Sequence, residues 1–325
     1  MSAIGPRIGV AVLNWNGRDD SIACLESLIA ADPGPDRTVV VDNGSTDDSV
    51  VAISAWIGQH GAFRAQLIVS QENRGFAAGN NVALTRLAAD DRITHFLLLN
   101  NDATVDRSFF ADLRQALAEV PDAGVLGVTI FDASPRGKGR VWYAGGVVDR
   151  LRVLGRHRYD VPHDGRPVPV EFVTGCAMLI SREALARVGP LPECYFIYFE
   201  DLEYCVRASA AGLRVLYAPR PVVHHAITGT VRAATAARVE RRFAKSRALF
   251  ARRNLRGATR ATAIAYLVAT GLARAVLRTL RGRPVRAWAA FRGTLDGLLS
   301  VQSQRNAGRG SASPGEGAGE RVIVE

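Results

Sequence analysis

Four short polar clusters each close a hydrophobic run, and each carries side chains able to do chemistry. Asp102 follows Phe96-Leu97-Leu98-Leu99 through Asn100 and Asn101. A carboxylate at the exit of a buried strand can ligate Mg2+ or Mn2+, with a substrate pyrophosphate supplying further oxygens. Asn-Asn-Asp is equally ordinary turn chemistry. Asp42 closes residues 38–41; it can accept hydrogen bonds from a ribose or a base N–H, or close an Asx turn that caps the next helix. Glu200-Asp201 follows Phe196-Ile197-Tyr198-Phe199 and opens a helical pattern. The helix N-terminus favours an ionised carboxylate suited to a general base, or a plain cap. His224-His225 ends another apolar run; an imidazole there can complete a metal site begun by Asp102, or be a hydrogen-bonded residue at a strand end.

These clusters need a scaffold, and the intervening pattern supplies one. Residues 8–13, 38–41, 66–70 and 96–99 are short Val-, Ile- and Leu-rich runs. Residues 19–31, with Ile22, Leu25, Leu28 and Ile29 on one face, and residues 76–89 have helical spacing. Alternating strands and helices predict a mostly parallel, Rossmann-like α/β sheet with helices on both faces. Ligands of such sheets bind beyond the carboxyl ends of the strands. Those ends carry Asn14-Trp15-Asn16, Asp42-Asn43, Asn73-Arg74-Gly75 and Asn100-Asn101-Asp102. Beyond Gly124 the spacing predicts longer strands over 125–131, 141–148 and 171–180, then helices over 182–188 and from Glu200 to Gly212. Strands over 214–217 and 221–225 finish this part, and no internal repeat occurs.

At 325 residues and 48% hydrophobic, the chain can bury a full core. The first seven residues lack the basic and long apolar segments of a secretion signal, which predicts a cytoplasmic protein. Cys24, Cys176, Cys194 and Cys205 show no metal-ligand spacing and are expected as buried free thiols. The net charge of +10 is uneven: from Arg232 onward lie 19 of the 41 basic residues but only five of the 31 acidic ones. Such a tail calls for an anionic surface, and a basic amphipathic helix on an anionic inner leaflet fits it, as does a solvated helix packed on the catalytic body. Residues 261–273 are too short an apolar stretch to span a bilayer. The tail has few aromatics and no nucleic-acid-reading motif, which argues against nucleic acid. The absence of GxGxxG and GxxxxGK[ST] spacings disfavours Rossmann hydride transfer and P-loop phosphoryl transfer.

Seven blocks in order resemble the family 2 inverting glycosyltransferases, rhamnosyltransferase-like members in particular. They span roughly residues 8 to 230: 10–17, Val40-Val41-Asp42-Asn43-Gly44-Ser45-Thr46-Asp47, Asn73-Arg74-Gly75-Phe76-Ala77-Ala78-Gly79-Asn80-Asn81, 98–102, 174–180, Tyr198-Phe199-Glu200-Asp201 and Val223-His224-His225. The resemblance implies a GT-A fold and a nucleoside-diphosphate sugar donor, dTDP-rhamnose favoured, with a glycan or polyprenyl-linked acceptor. It implies donor binding by Asn14, Asn16, Asp42, Asn43, Arg74, Gly75, Asn80, Asn100 and Asn101. Asp102 and His224 would hold a divalent metal, Mg2+ or Mn2+, and Asp201 would be the catalytic base, supported by Glu200. Asn100 stands where the family's metal motif begins with an acid. The expected organisation is a catalytic domain over 1–231, its donor half about 1–123 and its acceptor half about 124–231. A basic helical extension over 232–302 and a disordered tail over 303–325 follow.

Two other readings compete. A sugar-nucleotide pyrophosphorylase would carry a Gly-rich loop with Arg and Lys after the first strand. Here that loop is Asn14-Trp15-Asn16-Gly17-Arg18, and the chain has only two lysines, Lys138 and Lys245. A non-catalytic membrane-surface scaffold would not need an intact Asp102 and Asp201.

Overall fold

The computed structural model describes residues 5–135, 137–226, 233–282, 284–300 and 320–324. Of the expected disordered tail over 303–325, residues 303–319 and 325 lie outside the described residues, whereas Glu320–Val324 form a strand rather than a disordered end. The chain divides into two compact units. The first holds Met1–Asp149 and Gly155–Gly229 with Val322–Glu325; the second holds Arg150–Leu154 and Thr230–Arg321.

In the first unit, three βα steps and a fourth strand come first: β1 (Ile8–Asn14), α1 (Arg18–Ala30), β2 (Arg37–Asp42), α2 (Ser49–Gln59), β3 (Ala65–Ser70), α3 (Phe76–Ala88) and β4 (His95–Asn100). Then follow β5 (Ala103–Val105), α4 (Phe109–Glu119), β6 (Ala123–Asp132), β7 (Arg140–Tyr143), β8 (Gly146–Asp149), β9 (Leu154–His157) and β10 (Val168–Pro169). It closes with β11 (Ala177–Ser181), α5 (Arg182–Val188), α6 (Glu200–Ala210) and β12 (Arg214–His225). The main sheet runs β10-β12-β6-β11-β4-β1-β2-β3, with β13 (Glu320–Val324) beyond β3, and β5 and β7 paired to β12 and β6. Neighbours β4, β1, β2 and β3 are parallel, as are β6 and β12, while β11 is antiparallel to both β4 and β6. This is the mostly parallel α/β sheet that the alternation predicts. Its central strands are apolar on both faces: Val10, Val12, Val39, Val40, Phe96 and Leu97 have no exposed surface. Each such side chain contributes about 1.5–3 kcal/mol of transfer free energy, before conformational entropy is charged against it.

Three expected elements differ. The strand over 141–148 breaks at Gly145, whose φ of +96° is open to glycine, so β7 stays on β6 while β8 forms a separate hairpin with β9. The strand over 171–180 shortens to β11. Residues before it are buried but form a turn, because burial alone produces the apolar run. The strands over 214–217 and 221–225 are one strand, β12. Its register on β6 slips between Ala218 and Val222, and Thr129 accommodates the bulge by donating its hydroxyl to the Pro219 carbonyl at 2.6 Å.

In the second unit the basic extension is helical: α7 (Ala233–Asn254), α8 (Gly257–Leu280) and α9 (Pro284–Leu299). Gly293 and Gly297 let α9 lie against the backbone of α7, where a Cβ would run into the Arg241 and Lys245 carbonyls. Arg241 pairs with Asp296 at 2.7 Å, and Arg278 with Glu240 at 2.7 Å. Helix α8 extends beyond the expected apolar stretch, past Arg274 to 24 residues, with a mean hydropathy of 1.4 over 18 of them, which meets the length and composition of a membrane span. Its uninterrupted uncharged segment is still residues 261–273.

Candidate active site

The loops after β1 and β2 are tied together by polar side chains that mostly face inward. Asn14 is fully buried. Its Nδ2 donates to Asp42 Oδ2 at 2.7 Å and to Ser45 Oγ at 3.2 Å. Its Oδ1 accepts from the Gly17 N–H, the Ser21 hydroxyl and Asn101 Nδ2. Asp42, also without exposed surface, uses its other oxygen to accept from the Ser45 N–H at 2.9 Å. Asn43 donates to Asn73 Oδ1 and to the Gly75 carbonyl, and accepts from the Arg74 N–H. Asn80 folds back on its own helix, donating to the Phe76 carbonyl at 3.0 Å. A buried amide leaves little capacity unused in such an arrangement. These residues therefore fix the loops. Asn16 is exposed at φ +53° and bridges to the second loop through the Thr46 N–H at 2.7 Å, and Arg74 is exposed, 3.9 Å from Glu193.

Gly75 has a packing reason of its own. At φ +92° it lies against the backbone of Phe196, where a Cβ would meet the carbonyl, and the next residue, Phe76, donates its N–H to that carbonyl at 2.7 Å. Thus the loop after β3 supports the segment that leads into Glu200-Asp201. In that segment Tyr198 and Phe199 both have left-handed φ, +68° and +74°. Such strain costs about 1–3 kcal/mol per residue and persists where surrounding packing enforces it.

Asp102 and the histidines meet through strand pairing. Asp102 immediately precedes β5, which is antiparallel to β12 with Ala103 opposite His225 and Thr104 opposite His224. Successive side chains of a strand point to opposite faces. Accordingly His225 is buried with Nε2 3.0 Å from Asp102 Oδ1, while His224 points away to Asp106, 2.9 Å from Nε2. The structure places His225, rather than His224, beside Asp102. Trp142 abuts the His225 ring edge-on, centroids 5.0 Å apart, and Nδ1 is buried with no hydrogen-bond partner among the described residues. Burial works against the His225 imidazolium, but the Cys176 sulfur and the Asp102 carboxylate favour it and lift it to about 10. Burial in turn pushes the Cys176 thiol up, so at neutral pH the lasting anionic partner of His225 is Asp102.

The turn at Thr174-Gly175-Cys176 joins this pair to the second acidic cluster. The Cys176 carbonyl accepts from the Asn100 N–H at 2.9 Å, and the Gly175 N–H donates to Asp201 Oδ2 at 2.9 Å. Asp201 Oδ1 accepts from the Leu202 N–H at 2.7 Å, so the first turn of α6 holds the carboxylate by backbone donors. Burial raises the Asp201 carboxyl while those N–H groups restrain the rise. Glu200 is buried with Oε2 unpartnered among the described residues; burial, then the Asp201 charge, pushes it well above the usual carboxylate range. Burial and the Asp201 charge make Glu200 the harder of the two to ionise. Two environments thus separate the titrations of two adjacent carboxyls.

Three neighbours had no role in the sequence reading: Gly175, Cys176 and Trp142. The block 174–180 signals only the first two, and Trp142 falls in the strand expected over 141–148. Asp20, in the first turn of α1, is a fourth: burial and then the Asp102 charge raise its carboxyl. Of the cysteines, Cys24, Cys176 and Cys205 are buried as expected, but Cys194 is exposed. No group of three or more His, Cys, Asp and Glu side chains gathers for a metal among the described residues. One carboxylate and one imidazole, once the imidazolium has given up its proton, fit a divalent cation whose other ligands come from a substrate diphosphate and water.

Residues 6–258 match the model of a family described as glycosyltransferase like family 2. A hexosyltransferase of low-salt glycan biosynthesis from Haloferax volcanii is 22% identical over 215 residues, 64% of this chain. This chain spans 63% of that relative's length. An N-acetylglucosaminyl-diphospho-decaprenol L-rhamnosyltransferase of Mycobacterium tuberculosis is 26% identical over 231 residues, 64% of this chain and 72% of the relative. Among solved structures, a Pyrobaculum calidifontis mannosyltransferase in complex with GDP-Man and Mn2+ aligns with a TM-score of 0.57 at 20% identity, over 91% of this chain and 88% of that one. At that identity the likeness concerns the fold, and the fold is GT-A.

Proposed function

The chain belongs to glycosyltransferase family 2, and from that premise we propose that it is an inverting enzyme transferring a sugar from a nucleoside-diphosphate donor to a glycan or polyprenyl-linked glycan. The work would be done on the cytoplasmic side, at the inner face of the cell membrane. The observation that carries this reading is the continuity of one turn: Gly175 holds Asp201 while Cys176 adjoins Asn100 and His225, the partner of Asp102. A base and a cation-binding pair are thereby fixed by one short segment.

Asp201 is the base. Held as an anion by two N–H groups, it takes the proton of an acceptor hydroxyl as that oxygen forms its bond to the anomeric carbon. The bond from that carbon to the diphosphate breaks in the same displacement, which inverts the configuration. Burial raises Asp201 towards a pKa at which proton uptake is more favourable. Glu200, whose ionisation burial and the Asp201 charge oppose, supports the base from the same turn of α6. Asp102 and His225 would hold the divalent cation, which when bound offsets charge on the leaving diphosphate. Exposed Asn16 and Arg74 and half-buried Asn100 are the donor-facing side chains of this reading, while Asn14, Asp42, Asn43, Asn80, Asn101 and Gly75 hold the loops that carry them. Support for rhamnose comes from the mycobacterial rhamnosyltransferase alone.

The test is a donor panel of dTDP-rhamnose, UDP-sugars and GDP-sugars, read as released nucleotide with and without EDTA. One donor class should respond, with loss in EDTA. No release from any donor with Mg2+ or Mn2+ would leave the scaffold reading standing, and release of a nucleoside triphosphate with pyrophosphate would favour the pyrophosphorylase.

A further inference from the structure

Helices α8 and α9 leave large apolar side chains in water. Leu272, Val276, Leu277 and Leu280 are 45–78% exposed along the last turns of α8. On α9, Val285, Trp288, Leu295 and Leu299 are 36–75% exposed, at spacings of three, seven and four residues that keep them on one stripe. The other sides of these helices are occupied. Ala263, Leu267 and Ala275 of α8 are buried, and Gly293, Thr294 and Gly297 of α9 are buried where it meets α7. Contiguous exposed apolar surface of this kind marks an interaction site.

The charges around it select the partner. Residues 257–299 contain seven arginines and one acid, Asp296, which is already paired with Arg241. Arg274, Arg281 and Arg292 are exposed beside or within the apolar stripes. A second copy of the same face would bring these arginines against each other, so self-association is disfavoured by charge. A nucleic acid would satisfy the arginines but leave the leucines in water. An anionic lipid surface satisfies both, with leucines and Trp288 at the acyl boundary and guanidinium groups at the phosphates. Arg260 and Arg274 bracket only 13 residues of α8, about 20 Å of helix, short of the roughly 30 Å hydrocarbon core. We propose that the exposed face of α8 and α9 inserts into the interface of an anionic bilayer, lying in it rather than crossing it.

The inference rests on the membrane-side working place proposed above, but its test needs no sugar nucleotide, so the two can fail separately. Full-length protein is floated with phosphatidylcholine vesicles with and without phosphatidylglycerol, and Trp fluorescence is quenched by lipids brominated at defined depths. Binding should require phosphatidylglycerol, and shallow bromines should quench most, an effect lost in Trp288→Phe. Leu280→Gln with Leu277→Gln should weaken binding about tenfold or more, with nucleotide release on a soluble acceptor unchanged. Arg274→Glu with Arg281→Glu should abolish the phosphatidylglycerol dependence. No vesicle binding overturns the proposal. So does unaltered binding of the Leu→Gln pair, quenching strongest at the bilayer centre, or a concentration-dependent dimer that the Leu→Gln pair dissolves.

Discussion

Two polar clusters lie at the carboxyl ends of neighbouring strands, and they behave differently. Around Asn14, Asp42 and Asn43, each amide and carboxylate finds partners within the chain: Asn14 alone engages Asp42, Ser45, Gly17, Ser21 and Asn101. Around Asp102, His225, Glu200 and Asp201, hydrogen-bonding capacity is left over and titrations are displaced. His225 Nδ1 and Glu200 Oε2 are buried without partners among the described residues, and His225, Glu200 and Asp201 are all raised. Burying polar atoms unpaired costs about 1–3 kcal/mol each, a cost that a pure scaffold has no reason to carry. Polarity at a strand end therefore marks position, and unsatisfied capacity together with displaced titration singles out the second cluster as the candidate for chemistry. Thr38, Ser49 and Tyr204 are also unpartnered among the described residues, so the first sign alone does not suffice.

The sharpest way to break that contrast is Asp201→Asn. Transfer should fall by about 10²–10⁴ in kcat while donor binding, measured by calorimetry, persists. In the wild type, kcat/KM should fall on acidification with a midpoint above the ordinary 3.8 of an aspartate, because burial raises the group that must be ionised. His225→Ala should come next, raising the Mn2+ needed for half-maximal activity at least about tenfold. His224→Ala, whose ring bonds Asp106 on the opposite face, should leave the Mn2+ titration unchanged. An equal effect of the two histidines would erase the distinction drawn here.

On the scaffold side, Asn14→Ala should lower unfolding free energy by about 2–3 kcal/mol in urea titrations, since it strands Asp42 and Ser21. The folded remainder should keep its kcat. A smaller effect is expected from Glu200→Gln. Glu200 is raised in the folded state, so its contribution to stability is complete below about 4.5 and is lost as pH rises through the folded value. Removing the ionisable group should make thermal stability less pH-dependent, with the variant gaining on the wild type as pH increases. A loss relative to wild type that grows with pH would mean Glu200 is stabilised as an anion.

The parallel half of the sheet was legible because β1, β2, β3 and β4 are short, uniformly apolar and closed by polar residues. The region from 141 to 225 was less so. Its turn at 171–176 is buried and therefore apolar, and β12 hides a bulge between two apolar runs. Helix α4 and strand β5 were absent from the sequence reading. Three-residue β5 is too short to show a period, yet it brings Asp102 to His225.

The sequence by itself determined the sheet and singled out its strand ends and the acids Asp102 and Asp201 as candidates, because hydrophobic period and residue type are local properties. Only the tertiary structure decided that His225 rather than His224 faces Asp102, since the pairing of β5 with β12 sets which side chain points inward. It also decided that Asn14 and Asp42 are spent on each other and Asn43 on the loop after β3, because hydrogen-bond satisfaction depends on partners about 30 residues apart in the chain. Likewise it turned a basic tail into a face, since no charge count shows which leucines the helices leave uncovered.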